Sequence, residues 1–406
     1  MPVGLKPISK LLPIKGIRLA AVAAKLRYSG RPDLVLIESI ASARVAAVFT
    51  RNRYAAAPVT VAKEHLKSAQ PRALLINAGQ ANAGTGARGI EIAEASCQMV
   101  ASALQCDASQ ILPFSTGVIG NIPPIEKIEQ SIPSLVNGLD EDNWNQAAGA
   151  IMTTDTLAKG TSLQCELDSK MITITGIVKG SGMIHPNMAT MLAYVGTDAA
   201  ISQQVLDACW KKATEVSFGR VTVDGDTSTN DAAVLIASGA AGNTELRETK
   251  GKDYQNFFQT LLKVCTSLAK AIVRDGEGAT KFISVIVEQG ASEEDCIMVA
   301  QTVALSPLVK TAFFASDPNW GRILAAVGRA PITHLDIDKV DLFLGEVRVA
   351  TGGSIDASYT EAAGKSVMQK SEIDIRIVLN AGRASATIWT CDLSHEYVRI
   401  NAEYRS

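Results

Sequence analysis

The sequence KGSGMIHPNMATML (residues 179–192) joins two apolar stretches, MITITGIV before it and TMLAYVGTDA at its end. Apolar runs of this length, rich in β-branched residues, are typical of buried strands. The joining segment starts with small residues, contains a His-Pro pair and ends in an Ala-Thr pair. A plain connection between two strands needs fewer special residues, so this segment is a candidate functional loop.

Outward from this segment, buried strands alternate with amphipathic helices. DLVLIES, ARVAAVF and RALLINAG read as strands, whereas EIAEASCQMVASAL, SQQVLDACWKKATEVSF (behind a Ser202 cap) and DYQNFFQTLLKVCTSLAKAIVRDG have helical spacing. KFISVIVEQG, IDIRIVLN and SATIWTC supply later strands. The pattern predicts a layered α/β (α+β) fold with two domains, residues 1–280 and 281–406.

Composition excludes several classes of protein. The chain has 406 residues and a formal net charge of -2, which gives no basic surface for nucleic acid. Lys10, Lys15, Arg18 and Lys25 interrupt the apolar runs near the N-terminus before they reach the length of a signal peptide or membrane span. Seven cysteines without a C-x-x-C pair favour reduced thiols and a cytoplasmic location.

Two motifs resemble ligand sites but fail in detail. AGKS (residues 363–366) has Tyr359 where a phosphate-binding loop needs glycine. DGDTSTND (residues 224–231) lacks the glycine and the final acid of a calcium loop, and is interpreted as a turn or anion nest. The four histidines show no ligand spacing, so no metal site is predicted.

The Ala189-Thr190 pair raises a specific hypothesis. A threonine that becomes a new N-terminus carries its own base, an α-amino group with a pKa of about 7.7–8.0. Small Ala189 would leave its carbonyl open to the Thr190 hydroxyl, which makes self-cleavage chemically reasonable. An ordinary glycine- and proline-containing loop explains the same residues, so both interpretations stay open at this point.

Seven strings in order raise the self-cleavage hypothesis: FSTGVIG, IMTTDT, KGSGMIHPNMATML, TVDGDTSTND, RDGEGATKF, DPNWGRILAAVGRA and INAEYRS. Together they resemble the glutamate N-acetyltransferase (ornithine acetyltransferase) family of arginine biosynthesis over nearly the whole chain. The fold expected with this resemblance is a layered α-β-β-α core with a second C-terminal α/β domain.

The resemblance implies self-cleavage between Ala189 and Thr190, giving an α chain of 189 residues and a β chain of 406 − 189 = 217 residues. Thr190 would then take acetyl from N2-acetyl-L-ornithine and pass it to L-glutamate in a ping-pong cycle. The family's oxyanion hole matches the Thr116 hydroxyl and the Gly117 backbone N–H.

The resemblance also implies substrate contacts, at Thr153, Lys179, Thr190, Glu277, Asn401 and Ser406. A lysine can meet a substrate carboxylate and a glutamate an ammonium, while amide and hydroxyl groups donate and accept. Thr154 competes with its neighbour Thr153 for the same role. The stretch of residues 224–231 is expected to support these contacts from behind the substrate-binding residues. The resemblance implies no bound cofactor or metal.

Family members differ in whether acetyl-CoA also serves as an acetyl donor, and the sequence leaves this open. The expected assembly is a heterotetramer of two α and two β chains, in the cytoplasm, with no nucleic acid or membrane partner. Two alternatives stay beside acetyl transfer: a related self-processing aminopeptidase or amidase, and a non-catalytic amino-acid-binding protein.

Overall fold

A computed structural model describes residues 2–185 and 191–403. The chain divides into two compact units. The first unit contains Lys6–Gly219 and Asp226–Ile272, and the second contains the segment up to Leu5, Arg220–Gly225 and the chain from Val273 onward. Both short segments of the second unit lie within residues 1–280, the range predicted for the N-terminal domain. They belong to the second unit through long-range backbone hydrogen bonds, Val3 N–H to the Arg274 carbonyl and Thr222 N–H to the Trp389 carbonyl, which leave no local signal.

The first unit alternates strands and helices as the apolar runs predict. Its strands are β1 (Ile17–Val22), β2 (Leu34–Ser39), β3 (Arg44–Phe49), β4 (Ala73–Gln80), β5 (Ile111–Val118), β6 (Lys159–Leu167), β7 (Lys170–Lys179), β8 (Leu192–Thr197) and β9 (Ala232–Ala237). Its helices are α1 (Ala57–Ser68), α2 (Gly86–Leu104), α3 (Ile125–Asn137), α4 (Trp144–Ala150), α5 (Gln203–Glu215) and α6 (Gly251–Arg274), the last of which ends just past Ile272.

Two sheets form the centre of the first unit. One has the strand order β1-β2-β4-β5 and the other β3-β9-β8-β7-β6. Apolar side chains from the facing sides of both sheets share one core, in which the Phe114 and Tyr194 rings meet edge to face at 5.4 Å. Helices α2 and α3 cover the outer face of the first sheet. Helix α6 packs against β7, where Gly176 leaves room for the Leu268 side chain. The α-β-β-α layering expected from the sequence is therefore confirmed.

Strand register places the candidate loop at one sheet edge. β7 and β8 are antiparallel with Lys179 opposite Leu192, so the intervening segment leaves and re-enters the sheet at the same place. β8 and β9 are parallel with Leu192 opposite Ala232, and the Ala232 N–H donates to the Met191 carbonyl at 3.0 Å. The segment before β9 thus lies beside the segment before β8.

The second unit has its own sheet and core. Its strands are β10 (Phe282–Gly290), β11 (Asp341–Leu344), β12 (Val347–Thr351), β13 (Ser354–Ile355), β14 (Glu372–Val378) and β15 (Ala384–Cys391), in the order β13-β12-β11-β14-β10-β15. Its helices are α7 (Glu293–Ala304), α8 (Pro307–Phe314), α9 (Trp320–Gly328), α10 (Glu361–Met368) and α11 (His395–Ala402). Side chains of α7 and α9 close an apolar core over the sheet.

Helix caps correct one expectation and explain one motif. Ser202 occupies the position before α5, but its side chain makes no capping hydrogen bond within the described residues. In DPNWGR, the Asn319 side chain accepts from the Arg322 N–H and starts α9, and its amide donates to Asp317 at 3.1 Å. That polar cluster is a helix cap.

Among the helices in the described part of the chain, none is by itself long and apolar enough to cross a membrane. The bent pair α7 and α8 passes the same test of length and composition when its two helices are joined.

Candidate active site

The predicted oxyanion donors lie at the carboxyl end of β5. β4 and β5 are parallel, with Gly79 opposite Gly117. Gly117 has φ +128°, and a Cβ built on it would stand 2.3 Å from the Gly79 carbonyl oxygen. No side chain fits at this distance, and L-residues rarely adopt this backbone conformation. Glycine at position 117 is therefore required by the close approach of the two strands.

Lys179 connects two of the predicted threonines. Its Nζ lies 3.1 Å from Thr116 Oγ1 and 2.8 Å from Thr153 Oγ1. An ammonium has donors but no acceptor, so both hydroxyl oxygens accept from Lys179. Each hydroxyl proton consequently stays available to donate elsewhere. The cluster can therefore present a hydroxyl donor and a positive charge toward developing negative charge, which is the requirement of an oxyanion site.

A buried carboxylate, Asp155, holds the backbone that carries Thr153 and follows Lys179. Asp155 accepts from the Thr153 N–H at 3.0 Å, from the Gly180 N–H at 2.8 Å and from Lys159 Nζ at 2.5 Å. The side chains of Asp155 and Lys159 are both fully buried. Burial alone would raise the pKa of Asp155, but the charges of Lys159 and Lys179 and the hydrogen bonds outweigh it and hold this pKa well below its usual range. Asp155 thus fixes Thr153 and the start of the candidate loop as an anion.

Asn230 fixes the backbone that carries Thr116. Its amide donates to the carbonyls of Ala81 at 2.6 Å and Ser115 at 2.9 Å. The Ser115 hydroxyl in turn accepts from Asn77 Nδ2 at 2.5 Å. These buried bonds tie the start of β9 in one sheet to the ends of β4 and β5 in the other, so Thr116 is held by both sheets.

Asp231 follows Asn230 and lines a small polar cavity with Thr116, Lys179, Gly180 and Met191. The cavity volume of about 30 Å³ has room for a water molecule. Asp231 is buried, and among the described residues its Oδ2 has no hydrogen-bond partner. Burial raises the pKa of Asp231 well above its usual range, although a hydrogen bond from Ser228 and the charge of Lys179 oppose the shift.

In the second unit, two predicted substrate contacts touch each other. Asn401 on α11 donates from Nδ2 to Glu277 Oε2 at 2.8 Å and to the Tyr397 carbonyl at 3.0 Å. Glu277 is buried, with 7% of its surface exposed. A buried carboxylate beside an amide is a suitable acceptor for an ammonium.

The structure thus brings Thr116, Gly117, Thr153 and Lys179 together in the first unit and pairs Glu277 with Asn401 in the second. Ala189, Thr190 and Ser406 lie outside the described residues. Their assigned roles, like those of the other site residues, stay predictions. Within residues 2–185 and 191–403, no three His, Cys, Asp or Glu side chains gather in a way that could hold a metal ion.

Three polar residues of this region have no individual role in the sequence-based prediction: Asp155, Asn230 and Asp231. Asp155 lies inside the string IMTTDT, of which only the threonines are predicted site residues. Asn230 and Asp231 end DGDTSTND, which is expected to support the site only as a whole stretch. Their position directly before an apolar strand was a usable signal, because a polar pair entering a buried strand is itself buried and needs a purpose.

Comparison with known proteins identifies the family of this chain. The sequence pattern of the ArgJ family matches residues 18–406. The "Arginine biosynthesis bifunctional protein ArgJ" of Pseudomonas fluorescens (strain Pf0-1) is 52% identical over 406 residues, covering 100% of both chains. The protein of the same name from Methylococcus capsulatus is 53% identical over 397 residues, covering 98% of this chain and 97% of its own.

A crystal structure of the arginine biosynthesis bifunctional protein ArgJ from Bacillus halodurans is also similar. It is 38% identical, with a TM-score of 0.50, and it covers 52% of this chain and 98% of its own. The family pattern spans nearly the whole sequence, and relatives above 50% identity match nearly all of this chain. This chain therefore belongs to the ArgJ family.

Proposed function

We propose that the protein transfers acetyl from N2-acetyl-L-ornithine to L-glutamate, through an acetyl ester on Thr190 formed after self-cleavage at Ala189-Thr190. The observation that carries the proposal is the position of Lys179, whose Nζ donates to both Thr116 and Thr153. It stands at the end of β7, where the cleavage segment begins. Family membership supplies the reaction class.

The proposed acetyl transfer begins with the Thr190 hydroxyl oxygen attacking the acetyl carbonyl, while the Thr190 α-amine accepts the hydroxyl proton. The Thr116 hydroxyl and the Gly117 N–H stabilise the oxyanion. The C–N bond then breaks, and the proton passes from the ammonium to the leaving ornithine amine. In the second half, the glutamate amine attacks the ester, and the Thr190 hydroxyl is restored.

The length of the solved relative supports cleavage near the middle of the chain. Nearly all of that relative's chain matches, yet it spans only 52% of this sequence. That share of 406 residues is about 211, comparable in length to the products of 189 and 217 residues that cleavage would give. A two-chain product is the simple interpretation. Assembly as two α and two β chains in the cytoplasm is part of the same proposal.

Lys179 is proposed to meet a substrate carboxylate, because its ammonium is a positive charge placed beside the Thr116 and Thr153 hydroxyls. Glu277, Asn401 and Ser406 remain predicted substrate contacts. No bound cofactor is proposed. Acetyl-CoA is proposed as a second acetyl donor, in keeping with the word bifunctional in the names of the relatives.

Two measurements test the proposal. Denaturing mass spectrometry should find fragments that end at Ala189 and start at Thr190. Incubation with N-acetylornithine alone should release one ornithine per site and leave one acetyl group on the β fragment, and added glutamate should turn this burst into continuous turnover. Continuous ornithine release without glutamate would instead identify an amidase. Absence of both fragments and of ornithine release would refute the proposal.

Acetyl-CoA use has its own test. N-acetylglutamate should form from acetyl-CoA and glutamate without N-acetylornithine, and Thr190→Ala should abolish this product. Formation of the product by the Thr190→Ala variant would show that acetyl-CoA does not use the same nucleophile.

A further inference from the structure

Asp231 stands next to the start of β8. The parallel register pairs Leu192 with Ala232, and the Ala232 N–H donates to the Met191 carbonyl at 3.0 Å. Asp231 and Met191 therefore precede the paired residues of two adjacent strands. They also line the same cavity, together with Thr116 and Lys179. Cleavage after Ala189 would release an amino group one residue before Met191.

Among the described residues, only one of the two oxygens of the Asp231 carboxyl has a hydrogen-bond partner. The carboxyl bonds to Ser228, and its Oδ2 has no hydrogen-bond partner in the part of the chain that the structure describes. Leaving a buried polar atom without a partner is costly, and such atoms in proteins generally have a reason. Among residues 2–185 and 191–403, Oδ2 is thus an acceptor without a donor.

The charged groups around Asp231 come from neighbouring elements. Lys179 at the end of β7 acts on it electrostatically. Lys63 of α1 donates to the Thr50 carbonyl at 3.4 Å, and the Thr50 N–H donates to the Asp231 carbonyl at 2.9 Å. Despite the charge of Lys179, burial keeps the pKa of Asp231 well above its usual range. A positive partner close to Oδ2 would reverse this shift.

We propose that Asp231 is the positioning residue for the α-amino group released by cleavage, and that its free carboxyl oxygen accepts a hydrogen bond from this amine. The inference rests on the proposed function, because the amine exists only in the cut chain. Asp231 would orient the amine lone pair toward the threonine hydroxyl and stabilise the ammonium that forms during attack, as a buried carboxylate does for a catalytic imidazole.

The proton balance is simple. In the uncut chain, burial raises the pKa of the Asp231 carboxyl and so favours its protonated form. After cleavage the carboxyl proton leaves to solvent as the carboxylate pairs with the new amine. During acetyl transfer the hydroxyl O–H bond breaks, an N–H bond forms on the amine, and Asp231 faces an ammonium without itself taking the proton.

The proposal separates two activities that a structural residue would affect together. Self-cleavage precedes the amine, so Asp231→Asn should yield the same two fragments as the wild type by mass spectrometry. Acetyl transfer by the cut variant should fall about tenfold or more in kcat. Its kcat/KM profile should shift to lower pH by about one unit or more, because loss of a nearby carboxylate lowers the pKa of an amine. Asp207→Asn, an exposed carboxylate on α5, is the matched control and should change neither.

Clear results would overturn this role. Cut Asp231→Asn protein with the wild-type kcat and pH midpoint would exclude it. Loss of cleavage at an unchanged melting temperature would assign Asp231 to the uncut chain instead. If the Asn variant does not fold, Asp231→Ala offers a second test. Added formate should replace the lost carboxylate and restore turnover of this variant. Failure of this rescue in folded, cut protein would also exclude the role. If the wild type neither cuts nor releases ornithine, the proposed function fails first, and this inference falls with it.

Discussion

Two buried carboxyls, Asp155 and Asp231, both feel the charge of Lys179, yet their pKa values move in opposite directions. Asp155 has Lys159 and two backbone N–H groups around it, which outweigh the effect of burial. Asp231 has a hydrogen bond with Ser228 and, in the described part of the chain, no donor to its Oδ2, so the effect of burial on its pKa dominates. Two carboxyls whose pKa values move in opposite directions have different roles. Asp155 is an anion that holds Thr153 and Gly180 in place, whereas Asp231 is proposed to receive the α-amino group that cleavage releases.

The difference between Asp155 and Asp231 affects catalysis only if the chain is cut. Thr190→Ala tests self-cleavage, and its expected effect is the largest. The variant should remain one chain with no acetyl transfer, because the attacking hydroxyl and the acetyl acceptor are both lost. Denaturing mass spectrometry and an ornithine-release assay check it. Thr190→Ser keeps a hydroxyl and should still cut. Both fragments in the Ala variant would contradict self-cleavage by Thr190.

Asp155→Asn should reveal the structural role of the Asp155 anion. The change leaves the buried Lys159 ammonium without its counter-charge, so the free energy of unfolding should fall by about 3–5 kcal/mol. Denaturant unfolding measures this fall. The control is Asp142→Asn, which breaks an exposed pair with Lys10 and should cost about 1 kcal/mol or less. Equal effects of the two variants would remove the distinction drawn for Asp155.

Thr116→Ala should affect turnover and leave the fold intact. Removal of one oxyanion donor should lower kcat by about 10²–10³-fold, with KM nearly unchanged. Steady-state kinetics on cut protein check this. Thr116→Ser retains the hydroxyl and should keep most of the activity. An unchanged kcat in the Ala variant would exclude Thr116 from the site.

Lys179→Met tests the charge that the two carboxyls share. A nearby cation disfavours the ammonium form of an amine, so its removal should move the midpoint of kcat/KM to higher pH by about one unit. The pH profile of cut protein measures this shift. Lys170→Met, at the exposed start of the same strand, is the control. A midpoint that moves down, or not at all, would argue against a titrating amine beside Lys179.

The smallest expected effect is on the pH dependence of stability, which is measured in the uncut Thr190→Ala protein. It contrasts the contributions of Asp155 and Asp231 to the free energy of unfolding. Asp155 has a depressed folded pKa, so its contribution is present above the unfolded pKa of about 3.9 and is lost as pH falls through the folded value. Asp231 has a raised folded pKa, so its contribution is present below about 3.9 and is lost as pH rises through the folded value. Asp231→Asn should therefore be more stable than its parent at pH 8, with the difference vanishing toward pH 4. The same sign of change for Asp155→Asn at pH 8 would refute the contrast.

Much of the fold could be predicted because its signals are local. The apolar runs that became β2, β4 and β7 and the helical spacing of α2 and α6 follow from side-chain period, which each segment carries by itself. Motif strings likewise gave Thr116, Gly117, Thr153 and Lys179 as candidates. The sequence did not predict that the short segments 2–5 and 220–225 belong to the second unit, because their hydrogen bonds join positions far apart in the chain.

The sequence by itself determined the strands, the helices and the layered α/β class, since these depend on periodicity. Strings of neighbouring residues gave the resemblance to the family, and that resemblance implied the α-β-β-α core. The tertiary structure decided which polar groups meet. Lys179 lies 63 residues from Thr116 and 26 from Thr153, and only the packing of β5, β7 and the α4–β6 connection brings the three together. As letters in the sequence, Asp155 and Asp231 are the same acid. Burial and the number of partners, which exist only in the folded chain, make one of them an anion and raise the pKa of the other.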